Sequence, residues 1–271
     1  MRTGFISALA LAVASIVSAA PTHDHKRALE NLEKRLSPVN DWDCKPNAQH
    51  PTPLVLVHAT FPTAAVNWAY HGTRFTLKGH CAYQLDYGHV PQLPGICGMD
   101  LIENSAQQLE VFVDNVMNAT GTSKVDMLAK VDCLAPATHG TDLSGIVTLG
   151  RQINLYDPVT SLLNKFCAAC MQMVYDSSFM QALFADGDTV PGVEYLMLAT
   201  KYDEVITPYT RSWLRDQNPL IKNKKIQDYC MFDITEHIGM FANSLAFNIM
   251  DEFFAPSTGT RWLNCLTYVT K

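Results

Sequence analysis

The sequence predicts an α/β fold in which a mainly parallel sheet is flanked by helices, and three observations lead there. Pro53-Leu-Val-Leu-Val-His58 is a continuous apolar run, as expected of a strand buried on both faces. Strand-like segments then alternate with helical ones, the order that a parallel sheet requires. From Asp41 to Lys271 no linker, charge block or long-period repeat interrupts this alternation, so residues 41–271 read as one domain.

The elements come in chain order. Phe61 to Gly79 has helical character and stops at a glycine, and Cys81-Ala-Tyr-Gln-Leu-Asp-Tyr87 reads as a strand closed by Gly88. Ile102, Ala106, Leu109, Phe112, Val113, Val116 and Met117 recur at helical spacing, with Gly121 just beyond as a C-cap. Ile102–Thr120 is therefore expected to be a helix laying one face on the sheet. Two copies of one phrase come next, Lys124-Val-Asp-Met-Leu-Ala and Lys130-Val-Asp-Cys-Leu-Ala, read as a strand, before the small polar loop APATHGTDLSG. Gly192–Thr200 is a further strand, and His237–Phe254 an amphipathic final helix.

Composition narrows the function. A chain of 271 residues that is 48% hydrophobic and 17% charged can bury a full core. A net charge of −6 and a pI near 5.8, with no arginine-rich stripe, argue against a nucleic-acid partner. Arg2 precedes an apolar run from Phe5 to Val17 that is too short for a membrane span, and Val17-Ser-Ala19 offers a cleavage site. Residues 1–19 are read as a signal peptide and 20–40 as a propeptide or linker with dibasic pairs Lys26-Arg27 and Lys34-Arg35; a solvated helix is the alternative for that stretch. His23 and His25 there lack the supporting shell that makes a metal site.

Eight cysteines fit an oxidising, extracellular destination and leave connectivity open. Cys44 and Cys81 flank the first strand and helix and are the favoured bridge. Cys167-Ala-Ala-Cys170 is read as structural rather than redox-active, and Cys133 as a buried thiol. Asn118-Ala-Thr120 is a glycosylation sequon at a helix end.

Active residues of such sheets sit in loops beyond the carboxyl ends of strands. Asp203 follows the strand ending near Thr200, and His237 stands just before the last helix. A carboxylate followed by a histidine matches the chain order of an esterase triad, in which the acid orients the imidazole and the imidazole moves the nucleophile's proton. Glu204, Asp233 and Glu236 compete with Asp203 for that role.

Asn40-Asp-Trp-Asp-Cys-Lys-Pro, His50-Pro-Thr-Pro-Leu-Val-Leu-Val-His, Leu134-Ala-Pro-Ala-Thr-His-Gly-Thr, Gly187-Asp-Thr-Val-Pro-Gly-Val and Lys201-Tyr-Asp-Glu-Val-Ile-Thr-Pro-Tyr stand in collinear order over roughly residues 40 to 255. Together they resemble the secreted class 2 lipases, α/β-hydrolases that cleave acylglycerols. The resemblance implies an α/β-hydrolase fold, an acyl ester or lipid substrate, transient contact with a lipid interface, and no cofactor or metal. It maps the triad acid and base onto Asp203 and His237, and one oxyanion-binding N–H onto Thr60.

Two departures stand out. In the family, the strand resembling Lys124-Val-Asp-Met-Leu leads into a Gly-x-Ser-x-Gly elbow, a helix and a second strand; here the two strand beginnings are joined directly. A parallel crossover takes a dozen or more residues, so the serine, its elbow and its helix are missing. No Gly-x-Ser-x-Gly occurs elsewhere. Ser123 lies at the wrong end of the strand, Ser144 lacks the strand-turn-helix setting, and Cys133 sits within an apolar strand. The family's His-Gly pair is His58-Ala59 here, which reshapes the oxyanion loop.

Three readings are open: a complete secreted lipase from which a segment between the copies has been lost, a non-catalytic lipid-binding relative, or a chain that cannot complete its sheet. All three predict little or no ester hydrolysis by these 271 residues. They also predict apolar side chains left bare where the helix should lie, each worth about 1.5–3 kcal/mol of burial.

Overall fold

The computed structural model describes residues 39–129, 136–142, 144–254 and 265. Strand β1 (Leu54–Val57) is buried along its whole length, as its unbroken apolar run requires. Parallel neighbours flank it: β2 (Ala82–Gln84) pairs Leu54 with Ala82, and β3 (Asp126–Ala129) pairs Val55 with Met127 and Leu56 with Leu128. Between them run α1 (Ala64–Trp68), α2 (His71–Leu77) and the long α3 (Ile102–Thr120). Helix α3 ends where Gly121 takes φ 73° and returns its N–H to Met117 O.

The two faces of this sheet are covered differently. Leu54, Leu56 and Leu128 pack with Trp68 and Phe75 and with α8 (Ser244–Phe254), whose Leu245, Phe247 and Met250 are fully buried. Leu196 and Leu198 of β4 (Tyr195–Ala199) join the same core. On the other face, Val55, Val57 and Tyr83 lie beneath Phe112 and Val116 of α3, with Cys44 and Cys81 at the margin. There the cover stops. Val55 is 0% exposed, whereas its register partner Met127, on the same face one strand over, is 41% exposed.

Strand β4 pairs in parallel with β5 (Ile221–Lys225). Among the described residues no ladder joins β3 to β4, so the sheet stands in two pieces, β2-β1-β3 and β4-β5. The second copy of the repeated phrase, including Cys133, lies outside the described residues. So do residues 1–38, which hold the expected signal peptide and nearly all of the expected propeptide or linker. Every ladder between these strands is parallel, as expected, but the sheet is partial.

Between β3 and β4 the described residues form four short helices: α4 (Ile146–Gln152), α5 (Tyr156–Leu163), α6 (Ala168–Gln172) and α7 (Ser178–Leu183). Helices α4 and α5 turn Ile146, Leu149, Val159 and Leu162 outward. Three disulfides are present among the described residues, Cys44–Cys81, Cys167–Cys170 and Cys230–Cys265. They fit an oxidising compartment.

Several expected boundaries move. The strand expected over Cys81–Tyr87 is only Ala82–Gln84, and the helix over Phe61–Gly79 breaks into α1 and α2. The final helix starts at Ser244 rather than His237. Asn243 accepts the Ala246 N–H at 2.8 Å through its side chain, a cap that fixes the helix start, and Gly239–Ala242 forms a separate 3-10 turn.

Candidate active site

Strand β4 delivers Asp203 to the edge of the core. The buried residue just past its end, Thr200, donates Oγ1–H to Thr235 O at 2.6 Å and accepts Gln227 Nε2–H at 3.0 Å. Gln227 also donates to Asp233 O at 3.1 Å and accepts Lys201 N–H at 3.0 Å. One buried side chain thus stitches the loop after β4 to the loop carrying His237. The second loop is shaped from within: Asn243 Nδ2 donates to Asp233 Oδ2 at 3.0 Å and to Thr235 Oγ1 at 2.7 Å.

This framework brings Asp203 and His237 together. Asp203 Oδ1 accepts the backbone N–H groups of Val205 and Ile206 at 2.9 and 2.7 Å. His237 Nδ1 lies 2.9 Å from Asp203 Oδ2 and 3.1 Å from Oδ1. The carboxylate is wholly buried and the imidazole side chain is 13% exposed. With Nδ1–H directed at the carboxylate, Nε2 carries the free lone pair, the tautomer a general base needs.

The competing carboxylates have other work. Glu204 Oε2 accepts the His237 backbone N–H at 3.2 Å, Glu236 caps Gly239 N–H at 2.6 Å, and Asp233 is held by Asn243 and Thr235. Among these four carboxylates only Asp203 bonds the imidazole ring. No described serine, threonine or cysteine is hydrogen-bonded to His237 Nε2. Ser144 approaches this region with φ 55°, yet its Oγ–H goes to Glu204 O at 2.8 Å. The free thiol Cys97 is fully buried, and burial, with Asp86 beside it, pushes its pKa up to about 11, so it is a poor nucleophile at neutral pH.

Thr60 stands three residues beyond β1, half-buried. Gly98 is what allows the next segment to pass it: at φ +66°, a Cβ there would lie 3.0 Å from Thr60 Cα and 3.2 Å from Ala59 O. Sequence reading missed this contact, although a glycine following Cys97 was its only signal. Thr60 also borders an apolar cavity of about 200 Å³. Val57, Tyr87 and Gly98 line it, with Ile102, Ala106 and Leu109 of α3 and with Ala169, Met173, Met180 and Phe184. That volume is below the roughly 300–1,000 Å³ usual for small-molecule sites. Neither Asp203 nor His237 lines it.

The other residues that the sequence singles out lie away from this region. Cys44 and Cys81 are bonded to each other. Asn118 is exposed in the last turn of α3, and the hydroxyl of Thr120 is committed to Val116 O at 2.7 Å. His139, from the APATHGT loop, pairs instead with Asp188 at 3.1 Å.

No family model matches this chain, and no curated protein matches it. Among solved structures it is similar to the crystal structure of Aspergillus fumigatus lipase B, with a TM-score of 0.55 and 15% sequence identity over 74% of this chain and 52% of that one. The chain thus spans about half the length of that lipase. The likeness is one of fold: this chain has a lipase-like α/β fold with a partial sheet.

Proposed function

We propose that this chain belongs to the line of secreted class 2 lipases, enzymes that hydrolyse acylglycerols and related acyl esters, and that it holds the acid and base of their triad without the nucleophile. In this reading residues 1–19 are a signal peptide, 20–40 a propeptide or linker, 41–271 the hydrolase-like domain, and Asn118 a glycan acceptor. Asp203 orients His237 and balances its charge, His237 Nε2 is poised to take a proton, and Thr60 offers one oxyanion-binding N–H. The observation that carries the proposal is the Asp203–His237 pair at 2.9 Å, whose outward nitrogen meets no described hydroxyl or thiol.

A base with no nucleophile beside it leaves the covalent route closed. The second oxyanion donor, supplied in the family by the residue after the serine, is lost with it; such a donor is worth about 10²–10³ in rate. What remains is binding. The apolar cavity beside Thr60 suits a short acyl chain, and the outward apolar residues of α4 and α5 suit contact with a lipid surface. The described residues contain no helix long and apolar enough to cross a membrane.

The test combines p-nitrophenyl butyrate turnover with displacement of a fluorescent fatty acid by the purified chain. The reading expects hydrolysis at the buffer rate, saturable acyl binding, and no labelling by a fluorophosphonate. Robust turnover abolished by His237→Ala would reveal a working nucleophile. Loss of that turnover in Ser144→Ala would identify it.

A further inference from the structure

We propose that His58, Asp86 and Cys97, with His89 beside them, form a binding site for one zinc ion at the loop that carries Thr60. The backbone gathers these residues. Because β1 and β2 run parallel with Leu56 opposite Gln84, the residues two steps further on, His58 and Asp86, leave the sheet at the same end. Cys97 arrives on the segment that bridges to Phe61, whose N–H meets Cys97 O at 2.9 Å. One nitrogen of His58, a carboxylate oxygen of Asp86 and Sγ of Cys97 all lie within 4.8 Å of one another.

The inner half of the site is already set. His58 is 0% exposed, and its ring stacks on Tyr87 at 3.9 Å between centroids. Its Nδ1–H donates to Ala59 O at 2.7 Å, which fixes the tautomer with the lone pair on Nε2. A backbone carbonyl holding the far ring nitrogen is the usual outer support of a metal-bound imidazole. Here Nε2 accepts the Tyr87 N–H at 3.2 Å, a contact the ion would replace. Cys97 is 0% exposed and outside the three disulfides.

The outer half is open and adjustable. Asp86 and His89 are exposed; Asp86 Oδ1 holds Ala64 N–H at 2.5 Å, and the ring nitrogens of His89 lie 3.9 and 4.0 Å from Cys97 Sγ. At zinc bond lengths the donors of a tetrahedral site stand about 3.5 Å apart, so the cluster closes by about 1 Å, with the exposed His89 turning and Asp86 offering the carboxylate oxygen that does not hold Ala64 N–H. A thiolate, imidazoles and one carboxylate select zinc over calcium or magnesium, which take oxygen donors. On binding, zinc displaces the Cys97 thiol proton to solvent and forms bonds to Sγ, Nε2 of His58 and a carboxylate oxygen, with no change of oxidation state. The ion would then tie the ends of β1 and β2 to the Cys97 segment, two residues from Thr60.

The experiment titrates the purified, disulfide-intact chain with zinc alone in competition with a chromophoric chelator, then repeats the titration with Co²⁺ as a spectroscopic probe. The expected result is one ion per chain and a thiolate-to-cobalt charge-transfer band. Cys97→Ser should abolish the band and weaken zinc binding about 100-fold, and Asp86→Asn should weaken it about 10-fold or more. A double His23→Ala, His25→Ala variant should change neither. Absence of the band, its survival in Cys97→Ser, affinity that tracks His23 and His25, or a mass spectrum with Cys97 bonded to another cysteine would each overturn the proposal. Should Cys97→Ser fail to fold, Asp86→Asn decides the matter, since the asparagine carbonyl oxygen can still accept the Ala64 N–H that Asp86 holds; unchanged affinity there overturns the site.

Discussion

Val55 and Met127 stand side by side on one face of one sheet and meet opposite fates. Val55 is sealed under Phe112 and Val116, while Met127 is 41% exposed. Among the described residues β1 is the central strand and β3 an edge, and the connections on either side of them differ as well. β2 and β3 are joined by a chain that includes the long helix α3, which returns across the sheet and covers β1. After β3 the sequence leaves no room for such a helix before the small-residue loop. A parallel strand is stabilised on its faces by its crossover as much as by its ladder, and a lost crossover strips a face even where pairing survives. The loops repeat the contrast: the one after β4 presents Asp203 fully assembled, and the described part of the one after β3 presents no partner for His237.

The strongest way to break this contrast is to supply a crossover. Inserting a Gly-x-Ser-x-Gly elbow and an amphipathic helix after Ala129 should raise p-nitrophenyl ester turnover by about three orders of magnitude or more. It should also slow hydrogen exchange around Met127. An insertion that folds but leaves turnover at the buffer rate would show that Asp203 and His237 are not poised for catalysis.

On the covered side, the bridge between Cys44 and Cys81 closes a loop 37 residues long in sequence separation. Replacing both with Ser should cost about 3–4 kcal/mol in urea denaturation. A smaller pair of effects addresses the valine and methionine positions directly. Val55→Ala should cost about 2 kcal/mol, whereas Met127→Ala should stay within about 0.5 kcal/mol. Equal costs would mean that Met127 is covered in solution.

The smallest effect is a pH slope. His50, ring to ring with His80, and His139, beside Asp188, are both held below the ordinary imidazole range, chiefly by burial. The unfolded chain therefore binds these protons first as pH falls. Stability should be flat above about pH 6.5 and decline below it. Thermal melts between about pH 7.5 and 5 of His50→Gln and His139→Gln would show which side of the molecule yields first to acid; a wild-type midpoint that rises on acidification would contradict the sign.

The features legible in the sequence were those that local pattern encodes. β1, α3 and β4 announce themselves by apolar runs and helical spacing, and Gly121 marks the end of α3. β5 was missed because Ile221-Lys-Asn-Lys-Lys225 carries three lysines; as β4's outer neighbour it needs little apolar surface, and charge guards such an edge. Helices α4 and α5 were missed because their apolar residues largely face outward and mark no buried stripe, and α6 and α7 because they are only five and six residues long. Chain order singles out Asp203 and His237, which the structure brings to 2.9 Å of each other, but which of the four carboxylates meets the imidazole rests on contacts between distant loops, above all those of Gln227. The Cys230–Cys265 bridge and the His58–Asp86–Cys97 cluster likewise depend on contacts that no spacing announces.

The register of β3 on β1 carries one more consequence. Lys124-Val-Asp-Met-Leu-Ala and Lys130-Val-Asp-Cys-Leu-Ala start six positions apart, an even step, so exchanging one for the other preserves which way every side chain faces. Leu134 answers to Leu128 and Ala135 to Ala129, and only methionine against cysteine tells the copies apart. By facing and composition alone the slot beside β1 would accept either phrase: two keys of the same cut for one lock.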